Sequence, residues 1–286
     1  MKTLLSILLV HILLFSLLSC SQKSKPINTM SFNIRYDNPE DGKQNWHHRK
    51  ENIIRMINFN DLDIIGMQEV LITQLNFLKE NLSQYNTVGV GRVDGKEKGE
   101  FAPIFFKKDR FEELKSGTFW LSETPEKVSK GWDAALERIA TWVILKDKTT
   151  GKAFIFMNTH FDHIGKHARI ESSKLLKQKS MELAGNLPLI LTGDFNLVPE
   201  SEGIKTLIEP NGKNTLVNSS SLAAISYGPN WTTCGFDNRP FEKRKIIDYI
   251  FLRHVEKVNK YAVFTEMLND IYLSDHCPVF AQVELK

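Results

Sequence analysis

Leu191–Pro199 reads LTGDFNLVP, and the way this stretch stops decides the fold. The run leading into it, LPLILTG (Leu187–Gly193), is apolar and short, the pattern of a buried strand. Asp194 and Asn196 then follow at once, although both are poor strand residues. A turn explains that ending, and so does the lip of an active site. On an extended segment Asp194 and Asn196 would share one side while Phe195 points into the fold.

Other apolar runs end the same way. PINTMSFNI (26–34) alternates and reaches Asn33, and LDIIGMQEV (62–70) ends on Gln68 and Glu69. KAFIFMNTH (152–160) reaches His160, KIIDYIFLR (245–253) carries Asp248, and Asp275–His276 precede the closing run CPVFAQVEL (277–285). FAPIFF, GTFWLS and ERIATWVIL also read as strands. Ile53, Ile54 and Ile57, then Leu71, Leu75, Leu78 and Leu82, recur at helical spacing, and KHARIESSKLLKQKSMELAG reads as a helix closed by Gly185. GRVDGKEKGE (91–100) reads as a mobile loop or hairpin turn. Ligand sites in sheet proteins lie where strand ends converge. A single polar strand end is ordinarily a cap, but six along one chain describe a site.

Glu69, Asp194 and Asp275 offer hard oxygen ligands suited to Mg²⁺ or Mn²⁺, with asparagine assisting. His160 and His276 can donate protons or contact anionic oxygens, and Asp248 can orient one imidazole and favour its charge. Carboxylates, a metal and two histidines around an oxyanion make a set for hydrolysis at phosphorus.

SFNIR, MQEV, NTHFDH, TGDFN, IDYIF and SDHCPV, in this order from Phe32 to Val279, resemble the motif series of the endonuclease/exonuclease/phosphatase superfamily, the fold of pancreatic deoxyribonuclease. The stretch from Gly117 to Trp142 resembles an exported bacterial branch of it. The resemblance implies an α+β fold, a four-layer α/β sandwich of two packed mixed β-sheets flanked by helices. It implies Asn33, Glu69 and Asp275 on the metal side, with Mg²⁺ as cofactor and Mn²⁺ as the alternative. Asp194 would orient or deprotonate the attacking water, and Asn196 and His160 would donate to phosphate oxygens. His276 would stabilise the pentacovalent state, paired with Asp248.

Arg138 could grip phosphate or form a surface ion pair. Asp162 could touch substrate or orient His160, and Asp162 and His163 could equally shape their loop. Arg169 is expected on a solvated helix face. Trp132 and Trp231 could wall a pocket, whereas Trp46, Trp120 and Trp142 are core candidates. Cys277 reads as a buried structural thiol, and its pairing with Cys234 stays open. THFDH partly resembles the metallo-β-lactamase signature, but the later strand ends supply oxygen ligands rather than the histidines Zn²⁺ would need.

The 286-residue chain, 42% hydrophobic, can fill one large core. Residues 1–19 have Lys2 and an apolar run, the form of a signal peptide, and LLSC resembles a lipoprotein box with lipid on Cys20. Residues 20–26 read as a tether and 27–286 as one domain. Removing 1–19 deletes one charged residue, Lys2, so the formal +3 becomes +2. That balance gives no support for tight non-specific nucleic-acid binding. The expected protein is an exported envelope lipoprotein, membrane-held through Cys20. It would hydrolyse a phosphorylated small-molecule, sugar, lipid or nucleotide ester. The alternatives are a Mg²⁺-dependent nuclease and a non-catalytic envelope binding protein.

Overall fold

The computed structural model describes residues 25–237 and 239–286. The expected signal segment, Cys20 and the tether up to Ser24 lie outside them. In chain order the first strands are β1 (Ile27–Asn33), β2 (Ile64–Gln68), β3 (Tyr85–Val88), β4 (Ile104–Lys107) and β5 (Phe111–Trp120). Next come β6 (Ile139–Asp147), β7 (Ala153–His160), β8 (Leu189–Asp194), β9 (Val217–Asn218) and β10 (Ala223–Tyr227). The last are β11 (Asp248–Arg253), β12 (Val255–Val263), β13 (Met267–Leu268), β14 (Ile271–Tyr272) and β15 (Val279–Leu285). One mixed sheet has the order β10-β12-β15-β1-β2-β4-β3 and the other β5-β6-β7-β8-β11-β9. The helices that matter for the site are α1 (Trp46–Phe59), α2 (Ile72–Asn81), α3 (Lys166–Ala184) and α4 (Glu202–Ile208).

The layers follow from side-chain periodicity. Ile53, Ile54 and Ile57 of α1 and Leu75 and Leu78 of α2 are buried against Met30, Phe32, Ile65 and Met67 on the outer face of the first sheet. Leu176 and Ala184 of α3 and Ile204 and Leu207 of α4 pack on Ile155, Met157, Leu189 and Leu191 of the second. Between the sheets lie Ile27, Ile64, Phe106, Phe154, Phe156, Ile190 and Leu252. The result is helix, sheet, sheet, helix. Asn45 caps α1 by accepting from His47 N, and Gly185 closes α3 at φ +52°, where a residue without Cβ is favoured.

The inward-facing positions change chemistry along each strand. On β7 they run Phe154, Phe156, Asn158, His160; on β8, Ile190, Thr192, Asp194; on β11, Leu252, Ile250, Asp248. The sandwich is therefore apolar at one end and reactive at the other. Between the two lies a buried polar tier. Asn158 Oδ1 accepts from Gln68 Nε2 (2.6 Å) and Thr192 Oγ1 (3.0 Å), and Asn158 Nδ2 donates to Met67 O (2.6 Å). Gly66 faces this tier. A Cβ there would crowd Thr192 Oγ1 and lie 2.5 Å from Asn158 Oδ1. Gly66→Ala is expected to cost about 2–3 kcal/mol by overpacking. Thermal unfolding should show Tm lower by roughly 5–10 °C, and an unchanged Tm would mean the two sheets are not held at this spacing.

Several elements escape periodicity. β5 starts at Phe111, well before GTFWLS, because its first half is an exposed edge carrying Glu112, Glu113 and Lys115, which protect the open outer side of a strand paired, among the described residues, only with β6. β3 and β12 carry many polar residues and are strands because of their neighbours, not their own pattern. Glycine-rich 91–100 is a tightly bonded turn, with Gly91 N donating to Lys96 O, Val93 N to Lys98 O, and Asp94 Oδ1 accepting from Lys96 N and Lys98 N.

Candidate active site

Strand register builds the centre of the site. His160 pairs with Asp194 across β7 and β8, and Asp194 pairs with Asp248 across β8 and β11. Three reactive side chains thus stand in one row on the inner face. β1 and β2 end beside them, with Asn33 opposite Gln68 and Glu69 immediately beyond at φ +61°. Asn33 Nδ2 donates to Glu69 Oε1 and to Asp194 Oδ2, both at 3.0 Å, joining the two sheets. Tyr36 N donates to Glu69 Oε2 at 3.1 Å.

The strand at Leu191–Pro199 ends at Asp194, and Asn196 has φ +50°. Asp194 and Asn196 therefore do not share a side by extended alternation. A side-chain turn brings them together: Asn196 N donates to Asp194 Oδ1 at 2.9 Å. Asn196 Nδ2 donates to Phe161 O (3.1 Å) and lies 3.3 Å from His160 Nε2. Phe195 is buried among Phe161, Tyr249 and Phe251, as alternation requires.

His276 enters from the loop before β15. Thr233 bridges it, and Cys277 N donates to Thr232 O at 2.6 Å. Its Nδ1 lies 3.0 Å from Asp248 Oδ2 and its Nε2 3.8 Å from Asp194 Oδ2. Thr232 Oγ1 donates to Asp248 Oδ2 at 2.6 Å, fixing that carboxylate. Burial opposes charge on His276, but Asp248 and Asp194 outweigh it and hold the imidazolium well above its ordinary range. Asp194 is pushed up to about 7, by burial first and by the Asp248 charge second. His160 is driven well below its ordinary value by burial and by the nearby Arg138 and Arg92.

Two oxygen-rich positions are candidates for a cation. Asp194, Asp248 and His276 place ligand atoms within 4.8 Å of one another. An imidazolium cannot ligate, however, and His276 is held charged between the two carboxylates, so this trio is better suited to sharing a proton. Half-buried Glu69 and the buried Asn33 carboxamide oxygen, which accepts from Arg35 N, offer hard oxygens with lone pairs to spare, which fits Mg²⁺ or Mn²⁺. Asp275 joins them only through Arg35, whose Nη1 lies 4.0 Å from Asp275 Oδ2 and whose other nitrogens clamp Asp41.

Arg138 is not a surface ion pair. It is buried, with Nε 3.3 Å from Asp162 Oδ1 and Nη2 2.9 Å from His163 Nδ1. Asp162 serves its own loop instead of touching His160, because its Oδ2 accepts from Ala135 N, Ile164 N and Gly165 N. Burial opposes the Asp162 charge, yet these N–H groups and Arg138 bring its pKa to about 2. Arg169, on α3, is half-buried and donates to Asp162 O, so it braces that loop from the helix. Trp231 lines a cavity of about 240 Å³ with His276, Arg244 and Tyr272. Trp132 sits in a turn with its backbone N–H donating to Glu123 Oε2. Cys234 and Cys277 are buried and unbridged.

Sequence reasoning missed Arg92, Glu100 and Arg49. Arg92 pairs bidentately with Glu100 at 2.7 and 2.9 Å, and Glu100 Oε2 lies 3.7 Å from His160 Nδ1. Burial raises the Glu100 pKa although Arg92 opposes it. Arg49 is fully buried and donates to Gln44 O, Ile34 O, Arg35 O and Leu273 O, tying the loop after Asn33 to the one before Asp275. Burial lowers the Arg49 pKa to about 10.

Residues 30–276 match the model of the Endonuclease/Exonuclease/phosphatase family. A Bacteroides vulgatus endonuclease/exonuclease/phosphatase structure is 42% identical, covering 91% of this chain and 99% of that one, with TM-score 0.87. A mannosyl-6-phosphatase of Bacteroides thetaiotaomicron is 39% identical over 90% of this chain and 99% of its own, with TM-score 0.82. Protein angel of Drosophila melanogaster is 25% identical over 172 residues, 58% of this chain. The chain spans 48% of that protein and 24% of Drosophila Nocturnin.

Proposed function

The chain belongs to the endonuclease/exonuclease/phosphatase family, and on that premise we propose that it is a divalent-metal-dependent phosphohydrolase acting on a small organic phosphate ester. The observation carrying this reading is the His160–Asp194–Asp248 row, with His276 bridging the two carboxylates and Asn33 linking Asp194 to Glu69.

Asp194 takes a proton from the attacking water; a carboxylate titrating near about 7 suits a base at neutral pH. His276, held charged by Asp248, donates through Nε2 to a phosphoryl oxygen as negative charge grows there. His160 and Asn196 flank the same oxygens from the other side of Asp194. A cation held by Glu69 and Asn33 would supply Lewis-acid charge stabilisation beside them.

The near-balanced net charge and the 39% likeness to a mannosyl-6-phosphatase favour a sugar phosphate or similar monoester over a polynucleotide. The test is a panel of sugar phosphates, other phosphomonoesters, phosphodiesters and plasmid DNA, with Mg²⁺ and with chelator. Mg²⁺-dependent phosphate release from small esters, abolished by chelator, is expected. Cleavage of DNA alone would establish the nuclease reading, and no turnover by folded protein the binding-protein one. Anchoring at Cys20 is proposed alongside; mass spectrometry of the membrane fraction should find a lipidated N-terminal Cys20, and an intact Met1 would refute it.

A further inference from the structure

Cys234 and Cys277 are 4% and 3% exposed and belong to one apolar cluster between the sheets. Backbone pairing sets them side by side. Thr233 bridges His276 in antiparallel fashion, with Cys234 N donating to Asp275 O (2.9 Å) and Cys277 N to Thr232 O (2.6 Å). Side chains alternate along such a pair, so Cys234 and Cys277 share the face opposite to that of Thr233 and His276. Their thiols hydrogen-bond one another, and Cys234 Sγ also donates to Ser274 O and Asp275 O, each at 3.3 Å. Both cysteines line the cavity of about 240 Å³ beside Trp231, which gives a small reagent a way to the pair.

We propose that Cys234 and Cys277 are a disulfide site, closed by exchange with a small disulfide oxidant RSSR, and that the bond braces the loop carrying His276. Either thiol, its proton given up to water, attacks one sulfur of RSSR; a Cys–S–S–R bond forms, the RS–SR bond breaks and RS⁻ leaves. The second thiolate attacks the cysteine sulfur of that bond and expels the other RS⁻. The two RS⁻ take up the two protons, so RSSR and two cysteine thiols become one protein disulfide and two RSH. The consequence lies in what the bond joins. Thr232 Oγ1 fixes the Asp248 carboxylate from one segment, and His276 Nδ1 meets the same carboxylate from the other. Cys234 and Cys277 are two residues from Thr232 and one from His276, so the disulfide ties together the two arms that hold Asp248. It also closes a loop of about 44 residues, long enough to restrict the unfolded chain substantially. The site and its effect on unfolding hold whatever the substrate proves to be.

The test holds the full chain with bis(2-hydroxyethyl) disulfide and, in parallel, with dithiothreitol, then alkylates it in denaturant and maps the peptides by mass spectrometry. A linked Cys234–Cys277 peptide is expected after oxidation and two alkylated cysteines after reduction, with Tm higher by roughly 5–15 °C in the oxidised protein. Both thiols still alkylated after oxidation, a lasting RS adduct on either one, or a bond to Cys20 in place of the pair would overturn the proposal. So would a linked protein whose Tm equals that of the reduced one. Cys277→Ala removes one partner, so its Tm should be the same under both conditions. A rise there as large as in the wild type would place the stabilisation elsewhere and overturn the brace. Should the variant not fold, the wild-type peptide map and Tm decide alone.

Discussion

Asp194→Asn is expected to be almost inactive and, above pH 7, more stable than the wild type. Removing the base costs about 10²–10⁴ in kcat. The stability gain comes from the same burial that tunes the base. Asp194 rises from 3.8 to about 7 because it is buried beside Asp248, so its ionised form is disfavoured in the folded protein. A raised pKa means that stability is fully present below the unfolded value near 4 and is lost as pH climbs through about 7. About three pKa units correspond to ~4 kcal/mol. The carboxamide oxygen of the variant would still accept from one of the two donors that Asp194 now has, Asn33 Nδ2 and Asn196 N. Losing the other bond returns ~1–2 kcal/mol, which leaves a gain of roughly 2 kcal/mol. Denaturant midpoints from pH 4 to 8 should therefore diverge between variant and wild type as pH rises, then level off. A variant less stable than wild type at pH 8 would remove the burial argument. Activity within tenfold of wild type would remove Asp194 as the base.

This coupling of function to strain also shows what a sequence can and cannot reveal. The apolar-to-polar gradient on β7, β8 and β11 is local, so the strand ends at His160, Asp194 and Asp248 were legible as candidates. The family motifs ordered them and implied the layered sandwich that the two sheets form. What stayed hidden depends on pairings across long separations. Glu100 stands in a glycine- and charge-rich turn with no periodicity, and only the packing of that turn on β6 and β7 puts it near His160. Arg49 looks like one charge among several in WHHRKEN, yet it is buried to satisfy four carbonyls. Asp162 and Arg138 were visible, but not that each is engaged with the other. The geometry of Asn196 misled for a different reason. Alternation predicts a shared side, whereas a left-handed residue and a side-chain turn deliver the contact by another route.

Asp248→Asn should move the whole pH–rate profile toward acid. In the wild type, activity needs Asp194 ionised and His276 protonated, which gives a bell. Its acid limb lies at about 7 in the free protein, and at a lower pH once a cation binds at Glu69. Its basic limb lies well above the ordinary histidine range, because Asp248 and Asp194 outweigh the burial of His276. The substitution removes the larger of those two supports, so the basic limb falls. It also removes the second cause of the raised Asp194 pKa, so the acid limb falls too. On the alkaline side His276 would then lose its proton earlier, with the carboxylate that oriented its Nδ1–H gone, and kcat/KM there should drop about 10²–10⁴-fold. Part of the loss should return at lower pH, where His276 regains its proton while the fall in the Asp194 pKa keeps more of that carboxylate ionised than in the wild type. Stability follows the same sign. The His276 pairing is fully present below its unfolded value near 6.5 and is lost as pH rises through the raised folded value; the variant lacks the Asp248 share of that contribution. A basic limb that stays where the wild type has it would mean that Asp248 orients His276 without holding its proton.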